Sequence, residues 1–205
     1  MAMQVSEPAN AIAGPVGGGD DAAIIAESLA DPERFAVLYD RYAGQLYRYA
    51  GRRLGHADAE DMVAATFLAA FRARSRFDTA RLDARPWLFG ILTKELAKQH
   101  RKERARLRAI ARACTEASDA GHAEAVADDV TAWAARQQLA KALAVLAPAD
   151  RSVLLLIAWC DLTYDEVAQA LAIPIGTVRS RLNRARRKVR DALGGSDPTK
   201  EMEMP

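Results

Sequence analysis

The segment LTYDEVAQALAIPIGTVRSRLNRARRKVR, residues 162–190, contains two helical patterns separated by a proline. Thr163 and Glu166 have the spacing of a capping box, which predicts that a short helix begins there. Pro174 cannot continue that helix, and Gly176 with Thr177 is expected to open the next one. A short helix, a tight turn and a second helix form a helix-turn-helix, whose second helix fits the major groove of DNA. This pattern constrains the C-terminal part of the chain more than any other feature.

The second helix of this motif is amphipathic and strongly basic. Its apolar stripe runs from Val178 through Leu182 and Ala185 to Val189. Residues 173–190 hold seven Arg or Lys and no acid, in a chain of net charge +2. Such a face can be a solvated surface, a membrane-binding surface or a partner-binding helix, but the turn before it favours DNA. Base edges are then the expected targets of residues near its start, and phosphates those of later residues.

Composition narrows the class of protein. The 205 residues are 50% hydrophobic and 27% charged, which is typical of a soluble globular protein. The longest apolar run, residues 153–160, is too short to cross a bilayer, and the N-terminus lacks the pattern of a secretory signal, so we expect a cytoplasmic protein. Neither Cys114 nor Cys160 belongs to a CxxC pair, and the three histidines are scattered. The sequence therefore predicts no metal site and no cofactor, with Cys160 in the core.

The helical patterns and the absence of strand patterns predict an all-α protein with two small helical domains joined by a flexible linker. Residues 1–24 are expected to be disordered and residues 25–108 to form the first domain. An acidic segment, residues 109–129, is predicted to be the flexible linker. Residues 130–194 are expected to form the second domain, which contains the helix-turn-helix, and residues 195–205 a polar tail.

In the first domain, Asp31 with Pro32 is expected to begin one helix and Asp58 to cap another. Phe77 and Trp87 flank a loop that is rich in Arg. Aromatic residues are more often core than base-stacking, yet basic and aromatic residues around a loop are what a single-stranded nucleic-acid site requires.

Three segments in this order resemble the extracytoplasmic-function group of bacterial sigma factors, the small two-domain members of the sigma-70 family. DAEDMVAATFLAAF, residues 58–71, resembles the polymerase-clamp helix of region 2. RFDTARLDARPWLFGIL, residues 76–92, resembles the promoter-melting segment with its specificity loop. Residues 143–190 resemble region 4 over nearly its full length. Together the matching segments cover about two-thirds of the chain.

The resemblance implies a subunit that binds core RNA polymerase and recognises the −35 and −10 promoter elements, without catalysing a reaction itself. For the −35 element it implies Thr163, Thr177, Arg179, Ser180, Asn183, Arg184 and Arg187. For −10 recognition and melting, where a flipped base would enter a loop pocket, it implies Arg74, Arg76, Phe77, Asp78, Arg85, Lys94 and Lys98. For polymerase binding it implies Asp58, Glu60 and Asp61. Group members are commonly held by an anti-sigma factor, so such a partner is expected, with no insertion into a membrane.

The chain departs from the family pattern at two places. Ala64 and Ala65 stand where members usually have a Gln-Glu pair that touches polymerase, and Thr93 and Lys94 replace an Arg-Asn pair. The alternative function is a helix-turn-helix regulator that binds DNA without a sigma role. A second alternative is a helical protein whose basic helices bind a protein, RNA or an anionic membrane, and an enzyme has the least support because no nucleophile is paired with a base.

Overall fold

In a computed structural model, the described residues, 21–113, 139 and 141–193, form helices joined by short turns, and this part of the chain contains no strand. The fold class predicted from the sequence, all-α, is confirmed. The helices are α1 (Asp21–Glu27), α2 (Ala36–Leu54), α3 (His56–Ala73), α4 (Arg85–Ala113), α5 (Pro148–Cys160), α6 (Tyr164–Leu171) and α7 (Ile175–Ala192). Two 3-10 turns, Pro32–Phe35 and Arg74–Arg76, precede α2 and follow α3.

The first half of the chain is built around the apolar stripe of α2. Leu38, Tyr42, Leu46 and Tyr49 are all almost fully buried, as their spacing predicts. Helices α3 and α4 pack on each other, and both contact α2. Gly55, the single residue between α2 and α3, has a φ of 90°, a conformation that glycine adopts without steric cost. This glycine allows α3 to fold straight back against α2.

Two of the helix starts differ from the sequence prediction. Asp31 does cap the 3-10 turn, because its side chain accepts a hydrogen bond from the Glu33 amide at 3.2 Å. The prediction that Asp58 caps α3 is wrong, because the reversal at Gly55 lets α3 begin two residues earlier, at His56. The prediction of disorder over residues 1–24 is wrong for its last four residues, since α1 begins at Asp21, whose side chain is buried among polar partners. Residues 1–20 lie outside the described residues.

The second half contains the expected helix-turn-helix. Thr163 and Glu166 form a capping box at the start of α6, as predicted. The stripe of α7 is buried at Val178, Leu182 and Ala185, whereas Val189, near its end, is half-exposed. Residues 109–113, assigned to the linker, continue α4, and the rest of the predicted linker and the tail lie outside the described residues.

The two halves pack against each other through α4 and α6. Gly90 of α4 lies so close to α6 that a Cβ built on it would be 2.3 Å from the carbonyl oxygen of Ala170. A second contact joins α2 to α5, where the rings of Tyr49 and Trp159 are 6.3 Å apart and the Arg52 guanidinium lies 5.7 Å from the Trp159 ring centre. The described residues therefore share one continuous apolar core.

Candidate nucleic-acid interface

A left-handed residue shapes the turn between α6 and α7. Helix α6 ends at Leu171, and Ala172 follows with a φ of 52°. The Ile173 amide donates to the Ala168 carbonyl at 3.0 Å, which satisfies one of the free carbonyls at the helix end. Pro174 then occupies the N-cap position of α7, and the Thr177 amide donates to its carbonyl at 2.8 Å. Because the turn has backbone hydrogen bonds at both ends, the direction of α7 is fixed.

The side of α7 opposite its buried stripe is exposed and cationic. The predicted −35 residues on this face that are exposed are Arg179, Ser180, Asn183, Arg184 and Arg187. Thr177 is half-buried, and Thr163 is exposed at the start of α6. The arrangement brings these side chains to one end and one face of the motif. Arg186 and Arg190 extend the same cationic surface.

Arg184 has a contact that the sequence pattern did not predict. Its Nε and Nη2 donate to the two carboxylate oxygens of Asp150 at 2.8 and 3.1 Å. Asp150 lies in the first turn of α5, and its side chain is only 5% exposed. Two donors of Arg184 are therefore used inside the domain. No local signal could have revealed this pair, because the residues are 34 positions apart.

The loop between α3 and α4 comprises residues 77–84, and we call it the base-capture loop after the role that the sequence resemblance predicts for it. Its tip is exposed and held by local bonds: the Asp78 carboxylate accepts from the Ala80 amide at 3.2 Å and from Arg81 Nε at 3.0 Å. Phe77 at its start is buried, with its ring 5.0 Å from the ring of Trp87 in an edge-to-face contact. The start of the loop is thus packed against α4, and its tip is polar and faces solvent.

Two arginines predicted for −10 binding have contacts within the protein instead of pointing to solvent. Arg74 donates to the carbonyls of Phe71 at 2.6 Å and Ser28 at 3.3 Å, and its guanidinium lies 3.7 Å from the Phe71 ring centre. Arg85 donates to Gln45 Oε1 at 2.9 Å and to the Cys160 carbonyl, so it connects the two halves of the chain. Both side chains are half-buried. Their geometry gives them structural contacts, which the sequence interpretation did not anticipate.

A pocket of about 220 Å³ lies between the base-capture loop, α4 and α6. Four of the predicted −10 residues line it, namely Arg76, Phe77, Asp78 and Lys94. Arg81 and Trp87 also line it, and Gln169, Ala170 and Ala172 contribute from the second half. Lys98 lies on exposed surface one turn beyond Lys94, with its Nζ 3.4 Å from Glu95. The pocket combines aromatic and cationic side chains, and Trp87 could have been included from its place directly after the Arg-rich loop.

The predicted polymerase-binding residues lie on the solvent side of α3. Asp58, Glu60 and Asp61 are all exposed near the start of the helix. Further along the same helix, Ala64 is exposed and Leu68 is 50% exposed. The face is therefore acidic at its beginning and apolar along its length.

Burial also changes the acid–base properties of two core groups. It raises the pKa of the Cys160 thiol from 9.0 to about 12, against smaller opposing effects of Arg85 and Arg52. Burial likewise raises the pKa of the Tyr42 hydroxyl, and the neighbouring Asp21 and Asp83 act in the same direction. Both groups therefore stay protonated at neutral pH.

Neither a metal centre nor a membrane span is found in the part of the chain that the structure describes. No three His, Cys, Asp or Glu side chains among residues 21–99 and 141–193 meet in a cluster suited to a metal ion. None of the described helices combines the length and apolar character that a bilayer crossing needs.

Comparison with protein families gives two matches. Residues 38–106 match the model described as "Sigma-70 region 2", and residues 136–189 match the one described as "Sigma-70, region 4". The first range contains most of α2, all of α3 and the base-capture loop, and most of α4. The second contains α5, α6 and most of α7. The matches thus include both candidate DNA-binding surfaces.

Individual proteins give similarities over most of the chain. An extracytoplasmic-function (ECF) RNA polymerase sigma factor, SigK of Mycobacterium ulcerans, is 30% identical over 89% of this chain and 99% of its own length. SigL of Mycobacterium tuberculosis is 35% identical over 80% of this chain and 91% of its own. Among solved structures, CnrH bound to the cytosolic domain of CnrY has a TM-score of 0.59 at 25% identity, covering 86% of this chain and 99% of CnrH. The sigma factor RpoE of Bartonella quintana, bound to the anti-sigma factor NepR, has a TM-score of 0.57 at 27% identity, covering 80% of this chain and 98% of RpoE.

Proposed function

The chain belongs to the extracytoplasmic-function group of the sigma-70 family, and on that premise we propose that it is a promoter-specificity subunit that binds core RNA polymerase and recognises −35 and −10 elements. The observation that carries the proposal is the helix-turn-helix. Helix α7 buries one apolar stripe and presents Arg179, Asn183 and Arg187 to solvent. An exposed helix of this charge is suited to the major groove, where Arg reads guanine.

The −35 element is the proposed target of α7 as duplex DNA. Arg179, Ser180 and Asn183 lie near the start of the helix, where base edges are within reach. Arg187 lies two turns further along and is assigned to phosphate. Thr163 caps α6, whose N-terminal amides are favourably placed for a second phosphate.

The −10 element is the proposed target of the base-capture loop. The pocket beneath it contains aromatic faces, from Phe77 and Trp87, and cations, from Arg76 and Lys94. Flipping a base costs a few kcal/mol, which stacking and hydrogen bonding in such a pocket offset. Since α6 forms one side of this pocket, entry of a base attached to a DNA strand requires the two halves of the chain to move apart.

The exposed face of α3 is the proposed contact with polymerase. Asp58, Glu60 and Asp61 supply the charge, and the apolar stretch at Ala64 and Leu68 adds area for burial. The chain contributes recognition and strand separation, and polymerase makes the covalent bonds. This role places the protein in the cytoplasm, with an anti-sigma factor as its regulatory partner, by analogy with the sigma factor RpoE, which was solved in complex with the anti-sigma factor NepR.

The test is transcription in vitro with core polymerase purified from the source bacterium and this chain as the only sigma factor. The expected result is a set of discrete, promoter-dependent transcripts that core polymerase alone does not make. A matched pair of variants extends the test: Asp58→Lys with Asp61→Lys is expected to abolish polymerase binding, while Asp40→Lys on the exposed side of α2 leaves it intact. DNA binding by α7 without any polymerase binding would instead identify a regulator without a sigma role.

A further inference from the structure

We propose that Asp21 is a positioning residue for −10 recognition, because its carboxylate fixes the point at which the base-capture loop joins α4. This inference rests on the function proposed above. Asp21 is the first residue of α1, distant in sequence from the loop, and nothing in the sequence pattern marks it as functional. Its side chain is nevertheless completely buried.

Three donors converge on the Asp21 carboxylate. Oδ2 accepts from the Tyr42 hydroxyl at 2.6 Å and from the backbone amide of Ala84 at 2.8 Å. Oδ1 forms an ion pair with Arg41. The bond to Ala84 spans 63 positions of sequence and connects α1 directly to the last residue of the loop. A buried carboxylate is costly unless it is paired and hydrogen-bonded, and here both conditions are met.

The neighbouring residue Asp83 belongs to the same anchor. Its Oδ1 accepts from the Arg85 amide at 2.7 Å, in the first turn of α4, and lies 3.1 Å from the Tyr42 hydroxyl. Tyr42 therefore contacts both carboxylates and links α2 to the end of the loop. At the other end, Phe77 is held against Trp87.

Between these two fixed ends, the loop is exposed and its hydrogen bonds are local. Residues 78–82 are all exposed, and the Leu82 side chain is 66% exposed. The hydrogen bonds at the tip are local: the Ala80 amide and Arg81 Nε donate to the Asp78 carboxylate, and the Arg81 amide donates to the Asp78 carbonyl. The height of the tip above the pocket is therefore set by where its ends are attached, and Asp21 determines one of the two attachments.

The alternative is that Asp21 only stabilises the packing of α1 on α2. Asp21→Ala removes every acceptor, whereas Asp21→Asn keeps one oxygen for the Ala84 amide and the Tyr42 hydroxyl and loses the ion pair with Arg41. A packing role predicts that both variants behave alike once they are compared at equal stability. A positioning role predicts that the end of the loop stays attached to α1 through the Ala84 amide in Asp21→Asn, and that this attachment is lost in Asp21→Ala.

Ser28→Ala is the matched control. Ser28 is equally buried at the end of the same helical segment, and its hydroxyl donates to the Ile25 carbonyl at 2.6 Å. This substitution removes a buried hydrogen bond near α1 without touching the loop. It reports what a loss of stability alone does to both measurements below.

The first measurement is amide hydrogen exchange of the full chain without polymerase. In Asp21→Ala, the amides of residues 82–85 are expected to exchange about tenfold faster than in the natural chain, the effect of one lost buried hydrogen bond. In Asp21→Asn and Ser28→Ala, exchange of these amides relative to the core of α2 is expected to stay unchanged. If the amides of residues 82–85 exchange at the same rate in Asp21→Ala as in the natural chain, Asp21 does not anchor the loop.

The second measurement is in-vitro transcription from promoters that carry single substitutions in the −10 or the −35 element. A preferred base pair is favoured by roughly 5- to 150-fold in such sites. Asp21→Ala is expected to lose most of this preference at −10 and to keep it at −35, while Asp21→Asn and Ser28→Ala keep both. An equal loss at the two elements, or a retained −10 preference, overturns the positioning role. If the natural chain supports no promoter-specific transcription, the proposed function fails, and with it the role in −10 recognition, while the exchange data still decide whether Asp21 anchors the loop.

Discussion

Arg184 on α7 donates two hydrogen bonds, of 2.8 and 3.1 Å, to the two carboxylate oxygens of Asp150 at the start of α5. The Asp150 carboxylate is nearly buried, whereas the Arg184 side chain is about half exposed. Because the packing of α5 against α7 removes the negative charge of Asp150 from water, the positive charge of Arg184 is needed to stabilise it. This pair fixes the recognition helix on its support. It also leaves Arg184 fewer free donors for DNA than Arg179 has.

Arg184→Ala is accordingly expected to lower the free energy of unfolding by about 1–3 kcal/mol, since it leaves a buried carboxylate without its charged donors. Urea denaturation of the full chain measures this loss. In a double-mutant cycle with Asp150→Ala, the coupling energy should exceed about 0.5 kcal/mol, the limit below which sites count as independent. Arg187→Ala is the control, because an exposed side chain on the same helix should change stability by less than about 0.5 kcal/mol. Equal effects of Arg184→Ala and Arg187→Ala would show that the pair contributes nothing.

Arg179 and Arg187 are expected to act on different parts of the −35 duplex. Arg179→Ala should weaken binding of the preferred sequence by about 1–3 kcal/mol and reduce discrimination at one base pair, because an arginine near the helix start can reach a base edge. Arg187→Ala should weaken all sequences alike and reduce the slope of log affinity against log salt by about 1. The measurement is a salt titration of holoenzyme binding to promoters with single −35 substitutions. A sequence-independent loss for Arg179→Ala would reassign that residue to phosphate.

Gly90→Ala is expected to push α4 and α6 apart, because the added Cβ would lie 2.3 Å from the backbone oxygen of Ala170. Backbone cannot yield as a side chain can, so the variant should have a larger radius of gyration in small-angle scattering and lose about 1–3 kcal/mol of stability. Gly44→Ala on α2 is the matched control, since its added Cβ meets only the end of the flexible Arg48 side chain, at 3.8 Å. That control should keep its size and gain up to about 1 kcal/mol from helix propensity. An unchanged radius for Gly90→Ala would show that the halves are not held together at this contact in solution.

The Cys160 thiol is expected to make the protein less stable in alkali. Its pKa is raised from 9.0 to about 12, so above pH 9 the unfolded chain loses a proton that the folded protein retains. The folded state then binds more protons, and the free energy of unfolding falls as the pH rises from about 9 towards 12, by at most about 1.4 kcal/mol per pH unit from this group. Urea denaturation of the natural chain and of Cys160→Ala between pH 8 and 9.5 isolates the effect. Cys160 also helps to raise the pKa of the buried Tyr49 hydroxyl, so the range stays below the ordinary tyrosine pKa of about 10, where tyrosines remain largely protonated in both proteins. If the free energy of unfolding has the same pH dependence in both proteins, the Cys160 thiol does not contribute to the loss of stability in alkali.

Ala64→Gln combined with Ala65→Glu is expected to strengthen polymerase binding. The exposed position 64 and half-exposed position 65 lie on the α3 face that carries the acidic residues, and the substitutions restore the pair usual in the family. Competition against another sigma factor for core polymerase measures the change, with about a threefold gain or more expected from one added polar contact. Ala57→Gln, exposed in the first turn of α3, controls for a general effect of a longer polar side chain. A loss of binding would show that this surface contacts polymerase through its small apolar residues.

The local chemistry of the sequence determined the helices and the recognition motif. Thr163 with Glu166 marks a helix start, Pro174 stops the helix before it, and the stripe at Val178 and Leu182 gives the orientation of α7. Each of these signals acts within one or two turns of helix, so it can be read directly from the residues involved. The same holds for the apolar stripe of α2, because its spacing of three or four residues is visible in the sequence and marks the face that is buried.

Tertiary structure decided which polar groups are available for DNA. Arg184, Arg85 and Arg74 have the same local surroundings in the sequence as arginines that face solvent, yet each has contacts inside the protein. Their partners include residues 34, 40 and 46 positions away, and no periodicity connects residues so far apart. Asp21 is the clearest case, because its role depends on an amide that comes 63 residues later in the chain. Helix formation depends on neighbours in sequence, whereas the charge left free for a ligand depends on which distant groups the packing brings into contact.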